Sequence, residues 1–309
     1  MHSILSRRRF GLFLAATAAA ASLRPASGFA APAKGLPEAF AAIEANIRCR
    51  LGVSIVDTES GRRWAHRADE RFPMCSTFKM LAAAAVLARV DAGREDLERR
   101  IPVTADDIVA HAPVTEKRVG GEPMSLAELC EATVTLSDNP AANLILRTLG
   151  GPGGITAYAR TLGDDVTRLD RWETALNEAT PGDPRDTTTP AAMTENLRIL
   201  ATGEALSPAS RDILLGWLIG CRTGDAKLRA GLPEGWRVGD KTGGGGHGTN
   251  NDVGIVWPPG SPRSTSPRAR RASPTATPPS RTSRAPSPKR CGRRDGRQRP
   301  PVTVRPAAC

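Results

Sequence analysis

One pair of side chains in this sequence has the types and the spacing that nucleophilic catalysis requires. Ser76 and Lys79 lie three residues apart at the start of an alanine-rich segment, which predicts a helix that carries both side chains on one face. A serine hydroxyl is a weak nucleophile until a base removes its proton, and a lysine with a lowered pKa serves in place of histidine. The helix N-terminus would add positive potential and free backbone N–H groups. Ser76 and Lys79 are therefore a candidate nucleophile and base.

A carboxylate that could complete such a reaction lies in the string Arg171-Trp-Glu173-Thr-Ala-Leu-Asn177. The prolines that follow, Pro181 and Pro184, place Glu173 in a loop. An acyl ester on serine is stable unless a nearby carboxylate positions and deprotonates a water, and that carboxylate needs a partner that orients it. Glu173 and Asn177 are candidates for these two roles.

Two further strings could contact a substrate. Ser137-Asp-Asn139 lies between two predicted helices, where by itself it is equally typical of a helix-capping turn. Lys241-Thr242-Gly243 lies where a predicted strand, 236–242, meets a predicted glycine-rich turn, 243–248. It would present a cation and a hydroxyl to a substrate carboxylate, with a glycine that allows close approach of the backbone.

In their order along the chain, the four strings resemble the active-site elements of the class A serine β-lactamases. The resemblance implies that Ser137 passes a proton to the leaving lactam nitrogen and that Asn139 holds the side-chain amide of the substrate. It also implies an oxyanion hole made by the N–H groups of Ser76 and Gly244. The candidate site residues are, for catalysis, Ser76, Lys79, Ser137 and Glu173, and for substrate binding, Asn139, Asn177, Lys241, Thr242, Gly243 and Gly244.

The reaction that the resemblance implies is acylation of Ser76 by a β-lactam and hydrolysis of the ester with Glu173, with no metal and no organic cofactor. Whether Lys79 or Glu173 deprotonates Ser76 stays open. Asn250 stands where some relatives carry an arginine that binds the substrate carboxylate, and Lys227 is a candidate substitute. His111 stands where many relatives have an aromatic gatekeeper, and an ordinary loop histidine is an equal interpretation.

Other enzyme classes fit the sequence less well. The four histidines form no His-x-His or His-Glu-x-x-His string, which argues against a zinc hydrolase. No Gly-x-Ser-x-Gly string is present to start a Ser-His-Asp triad. A penicillin-binding D,D-peptidase shares the Ser76 and Lys241 strings but lacks the loop glutamate. The remaining alternative is an inactive, decayed relative whose basic tail binds anions by charge alone.

Charge divides the 309 residues into three segments. The net charge of +11 comes from the two ends, because residues 1–30 carry four arginines and no acid, and residues 261–309 carry 13 basic residues and one acid. Residues 31–260 hold 26 basic and 31 acidic residues, so this segment is mildly acidic. We therefore predict a catalytic region at 31–260 that has no specific nucleic-acid partner. As the resemblance implies, we expect this region to bind a small β-lactam and to be monomeric.

The two ends have their own signatures. Residues 1–30 combine Arg7 and Arg8 with an apolar stretch too short to span a bilayer, which predicts a twin-arginine export signal and a periplasmic location, with a Sec signal as the alternative. Residues 261–309 contain no Phe, Trp, Tyr, Leu, Ile or Met, and such a tail is predicted to be disordered. The family resemblance stops near Gly260, and we attribute both changes to a shifted reading frame.

The elements predict an α/β sandwich domain with an all-helical domain, as in serine β-lactamases and penicillin-binding proteins. The α/β parts are 31–75 and 223–260, and the helical part is 76–222. Within them, the pattern predicts a strand around Arg63–His66, a helix at 77–90 that Gly93 stops, and a helix at Asn139–Leu149. Class A relatives continue after Gly260 with a sheet strand and a helix, so we expect the sheet to be incomplete and the activity of the chain to suffer. The family's disulfide partners are absent at Ala83 and Gly244–Gly246, so we expect four free thiols, at Cys49, Cys75, Cys130 and Cys221.

Overall fold

The computed structural model describes residues 35–261. The predicted export signal and basic tail lie outside the described residues. No helix within 35–261 is long and apolar enough to cross a membrane. The helices of this part are α1 (Leu36–Ile47), α2 (Phe78–Asp91), α3 (Leu126–Thr135), α4 (Asn139–Leu149), α5 (Gly153–Thr161), α6 (Pro190–Thr202) and α7 (Pro208–Ile219). Its strands are β1 (Val53–Val56), β2 (Arg63–His66), β3 (Phe72–Pro73), β4 (Arg100–Ile101), β5 (Met124–Ser125), β6 (Thr187–Thr188), β7 (Arg237–Gly244) and β8 (Asn250–Trp257).

Helix α2 is the centre of the helical domain. Every residue from Phe78 to Leu87 is buried, so the helix is enclosed on all sides and not amphipathic. Its four consecutive alanines, Ala82–Ala85, let neighbouring helices approach closely, and α3, α4, α5 and α7 all pack against it. The tightly packed helix is a rigid support for the Ser76–Lys79 string at its N-terminus.

The Ser-Asp-Asn string lies at the junction of α3 and α4. Asp138 is the N-cap of α4, and its carboxylate accepts a hydrogen bond of 2.9 Å from the backbone N–H of Ala141. Pro140 then occupies the first turn, where its missing N–H has no consequence. The capping interpretation is therefore right for Asp138, and the cap holds Ser137 and Asn139 on either side of it.

The strands form separate antiparallel pairs. β1 pairs with β2, and β7 pairs with β8, while β3–β6 and β4–β5 are two-residue ladders. Helix α6 packs against both β1 and β8, so the two longer ladders lie on the same helix. Within residues 35–261 no backbone ladder joins them.

Two expectations need correction. The glycine-rich segment 243–248 is not entirely a turn, because β7 continues through Gly243 and Gly244, which pair with Asn251 and Asn250. Gly243 has no side chain, so the strand can pack closely against the backbone of Met74 while it keeps its pairing with β8. The expectation of four free thiols is wrong for Cys49, which is disulfide-bonded. The other three thiols, Cys75, Cys130 and Cys221, are free and buried.

Candidate active site

Ser76 lies in a short 3-10 turn, Cys75–Thr77, that leads directly into α2. The residue before it, Cys75, has a positive φ of 46°, which turns the chain sharply at this point. Ser76 faces a cavity of about 280 Å³. The other residues that line this cavity are His111, Ser137, Asn139, Asn177, Thr223, Thr242, Gly243 and Gly244.

Lys79 lies fully buried beneath Ser76, in the first turn of α2. Its Nζ atom is 3.0 Å from Glu173 Oε1 and donates hydrogen bonds to Ser137 O at 2.8 Å and Asn139 Oδ1 at 2.5 Å. Ser137 Oγ lies 3.3 Å from the same nitrogen. One lysine thus joins three of the four strings that the sequence singled out.

The environment of Lys79 also tunes its acidity. Burial disfavours the ammonium form and lowers the pKa of Lys79, and the nearby Glu173 carboxylate opposes this effect. A lysine with a lowered pKa exchanges protons more readily near neutral pH than an exposed one. The position is suited to moving a proton between Ser76, Ser137 and Glu173.

Glu173 is held on three sides. Its side chain is fully buried, Oε1 faces Lys79, and Oε2 accepts a hydrogen bond of 2.5 Å from Asn177 Nδ2. Asn143 of α4 fixes the backbone, because its amide donates to Glu173 O at 2.9 Å and accepts from Glu173 N at 3.0 Å. The carboxylate is therefore placed by contacts from its own loop, from α2 and from α4.

An internal ion pair closes the loop that carries Glu173. Arg171 Nε lies 2.6 Å from Asp186 Oδ2, and the other carboxylate oxygen accepts from the backbone N–H groups of Asp170 and Arg171 at 2.8 and 2.9 Å. The Asp186 side chain is 1% exposed. This pair joins the two ends of the loop.

Strand β7 brings Lys241 and Thr242 to the opposite wall. Lys241 Nζ is buried, 3.1 Å from Ser137 Oγ, and donates to Thr242 O at 2.8 Å. Burial, and then the charge of Lys79, lower the pKa of Lys241 to about 7. Ser137 Oγ therefore lies between two lysines that both release a proton more easily than usual.

The end of β7 fits against its neighbours only because its residues lack side chains. A Cβ atom on Gly243 would lie 2.7 Å from Met74 O, and one on Gly245 would lie 2.6 Å from both Asn177 O and Cys75 Sγ. These separations are shorter than van der Waals contact. The glycines let β7 approach both the Ser76 turn and the Glu173 loop.

The structure brings the sequence-predicted residues together around one cavity. Lys79 and Glu173 lie beneath its wall, Lys241 lies behind Ser137, and the remaining predicted residues line it. Asn143 and Thr223 were not among the predicted site residues. Neither lies in a recognised string, and only the fold places the first against Glu173 and the second against Thr242 at 2.6 Å.

The two departures from the family pattern also lie at this site. Lys227 Nζ donates to Asn250 Oδ1 at 2.5 Å and Asn251 O at 2.9 Å, and lies 3.4 Å from Gly243 O. A cation is thus present beside the end of β7. His111 lines the cavity, and its ring nitrogen Nε2 lies 2.9 Å from Leu136 O.

Comparisons with known proteins agree with this geometry. The model of the β-lactamase enzyme family matches residues 35–265. The chain belongs to the class A β-lactamases. It is 53% identical over 218 residues to β-lactamase FAR-1 of Nocardia farcinica, covering 71% of this chain and 69% of that protein. It is 48% identical over 265 residues to β-lactamase L2 of Stenotrophomonas maltophilia, covering 82% of this chain and 87% of that protein.

Solved class A β-lactamases share the fold. An ancestral class A β-lactamase designated GNCA is 64% identical, with a TM-score of 0.71 over 72% of this chain and 86% of that one. A putative class A β-lactamase, PenP from Rhodopseudomonas palustris, is 58% identical with a TM-score of 0.71 and covers 72% and 85%. Membership in this family makes the chain a hydrolase of the β-lactamase type with an α/β domain and a helical domain.

Proposed function

We propose that this class A β-lactamase hydrolyses its substrate through an acyl-enzyme on Ser76. The observation that carries the proposal is the pairing of Lys79 with Glu173 at 3.0 Å, directly beneath the cavity that Ser76 lines. Attack of Ser76 Oγ on the lactam carbonyl forms an ester and breaks the ring C–N bond. The serine proton passes to Lys79 or Glu173, and the lactam nitrogen takes one from Ser137.

The position of Ser137 supports its part in this proton transfer. Its hydroxyl lies 3.3 Å from Lys79 Nζ and 3.1 Å from Lys241 Nζ. A hydroxyl donates only one proton, so each transfer to the nitrogen must be followed by reprotonation. Either lysine is close enough to supply that proton, and the lowered pKa of each favours the transfer.

In the second step water attacks the Ser76 ester while Glu173 takes the proton. Asn177 holds one oxygen of the carboxylate, which leaves the orientation of the base fixed before water arrives. Asn139 is proposed to bind the side-chain amide of the substrate, and Lys241, Thr242 and Gly243 its carboxylate. The N–H groups of Ser76 and Gly244 are proposed to stabilise the oxyanion.

Replacement of Glu173 by alanine tests this assignment in the full chain. Acylation should persist while hydrolysis of the ester slows by about 10²- to 10⁴-fold, because the general base is lost. Mass spectrometry after mixing with penicillin should show a persistent adduct on Ser76, absent from the Ser76→Ala variant. Glu195→Gln, which alters a partly exposed glutamate paired with Arg63 and Arg198, is the matched control and should behave like the parent.

The rival functions predict different outcomes. A penicillin-binding peptidase would keep a long-lived adduct even with Glu173 intact, and an inactive relative would form none. Turnover of Glu173→Ala at the parental rate would remove Glu173 from the mechanism.

We also propose that the chain is exported to the periplasm by the twin-arginine route, on the strength of Arg7 and Arg8 ahead of the apolar stretch. Changing both arginines to lysine preserves the charge that a Sec signal needs. We expect this double variant to remain in the cytoplasmic fraction. Unchanged export would indicate the Sec route.

A further inference from the structure

Three side chains form a line that ends at the β7 wall of the cavity. Cys221 Sγ lies 3.3 Å from Thr223 Oγ1, and Thr223 Oγ1 lies 2.6 Å from Thr242 Oγ1. Cys221 is 2% exposed and Thr242 is 6% exposed. The turn that carries the first two residues is fixed by a backbone hydrogen bond of 2.9 Å from Arg222 N to Thr135 O. The line therefore runs from the buried interior to the cavity surface.

The number of protons on these groups determines the direction of their hydrogen bonds. A threonine hydroxyl has one proton to donate, whereas a carboxylate only accepts. If Thr242 donates its proton to a substrate carboxylate, it has none left for the short contact with Thr223. Thr223 must then donate to Thr242, and the free lone pairs of Thr223 Oγ1 face the weak S–H donor of Cys221.

We propose that Thr223 is a positioning residue for carboxylate recognition, which acts by holding the Thr242 proton toward the cavity. The proposal rests on the proposed function, because it assumes that an anionic β-lactam places its carboxylate against Thr242. In the empty site the Thr223–Thr242 hydrogen bond can point either way. Binding of the anion selects the direction that runs from Cys221 to the substrate, in which each donor polarises the next.

The full chain is tested with two substrates, a chromogenic cephalosporin that bears a free carboxylate and the methyl ester of the same compound. Thr223→Val keeps the shape of the side chain and removes the hydroxyl. We expect KM for the free acid to rise about fivefold, the size of one ordinary hydrogen bond, with little change in kcat. KM for the ester should stay at the parental value, and Thr223→Ser should restore KM for the acid.

Each outcome decides the proposal. An equal rise in KM for acid and ester, or failure of serine to rescue, would assign Thr223 a purely structural role and overturn it. Parental kinetics of Thr223→Val would overturn it as well, while leaving the proposed function intact. A parent chain that melts cooperatively but hydrolyses neither substrate would overturn the proposed function and this inference with it. Thermal melting of all variants shows whether a change in KM arises from loss of the fold.

Discussion

Replacing Asp186 with asparagine should release the Glu173 loop without unfolding the protein. Asp186 has a positive φ of 57°, which asparagine tolerates better than most residues. The remaining amide oxygen still accepts from the backbone N–H groups of Asp170 and Arg171. The amide NH₂, however, now faces Arg171 Nε at the former ion-pair distance of 2.6 Å, so two donors oppose each other where a charge pair stood.

The size of the effect follows from burial. The two side chains are 1% and 14% exposed, and breaking a buried ion pair from one side costs about 3–5 kcal/mol. If this loss reduced the free energy of unfolding of the whole folded region, it would lower the melting temperature by about 6–20 °C. A loop can instead open and return Arg171 to water, which limits the loss to the free energy of loop closure. We therefore expect a smaller drop in melting temperature and a large loss of deacylation.

Two measurements on the full chain separate these possibilities. Mass spectrometry with penicillin should show an adduct on Ser76 that persists about 10²-fold longer than in the parent, because Glu173 is no longer positioned. Asp183→Asn is the matched control, because its pair with Arg185 lies on the same loop but is partly solvent-exposed and is worth about 0–1 kcal/mol. Deacylation of Asp186→Asn at the parental rate would refute the view that the ion pair positions Glu173.

The charges and strands lead to four further predictions. Because the pKa of Lys241 is lowered from 10.5 to about 7, kcat/KM for a carboxylate-bearing lactam should fall above about pH 7, and Lys241→Arg should flatten the profile. Through the same shift, the free energy of unfolding should rise between pH 7 and 10.5, since the unfolded chain binds a proton at Lys241 that the folded chain has released. Denaturant titrations at several pH values would contradict this if the parent and a Lys241→Arg variant showed the same pH dependence of the free energy of unfolding. Lys227→Ala should raise KM for a cephalosporin with a free carboxylate but not for its methyl ester. Equal effects on both compounds would exclude Lys227 as a ligand of the substrate carboxylate. Replacing residues after Gly260 with a family-like strand and helix should raise the melting temperature and the rate on a chromogenic cephalosporin well above those of the chain as written, and matching values would refute the shifted-frame argument.

Local pattern was sufficient to predict the elements that carry the site. Helix α4 was predicted at Asn139–Leu149 and lies there, because Pro140 and the following Gly150 mark its two ends. Strand β2 was likewise predicted at Arg63–His66. The alanine-rich run predicted α2 to within one residue at each end, since its alanines and leucines favour helix and Gly93 stops it.

Contacts between distant segments could not be predicted in this way. Asn143 lies on the buried face of α4, and nothing in its neighbours indicates that it holds the backbone of Glu173 thirty residues away. Helix α7 was not singled out, although it packs against β7. The extension of β7 through Gly243 and Gly244 was missed because glycine predicts a turn, whereas here close packing against Met74 O and Thr77 overrides that local preference.

The distribution of charge around the cavity links its architecture to its substrate. Lys79 has a carboxylate partner, Glu173, within 3.0 Å, so this buried pair is nearly neutral. Lys241 is equally buried, yet its Nζ atom contacts a hydroxyl and a carbonyl, those of Ser137 and Thr242. Burial and the nearby charge of Lys79 therefore lower its pKa. A substrate carboxylate placed against Lys241 would supply the missing counter-charge and favour the ammonium form. Binding of an anionic lactam above pH 7 should therefore be accompanied by proton uptake, which buffer-dependent calorimetry would measure, and a neutral ester should bind without it.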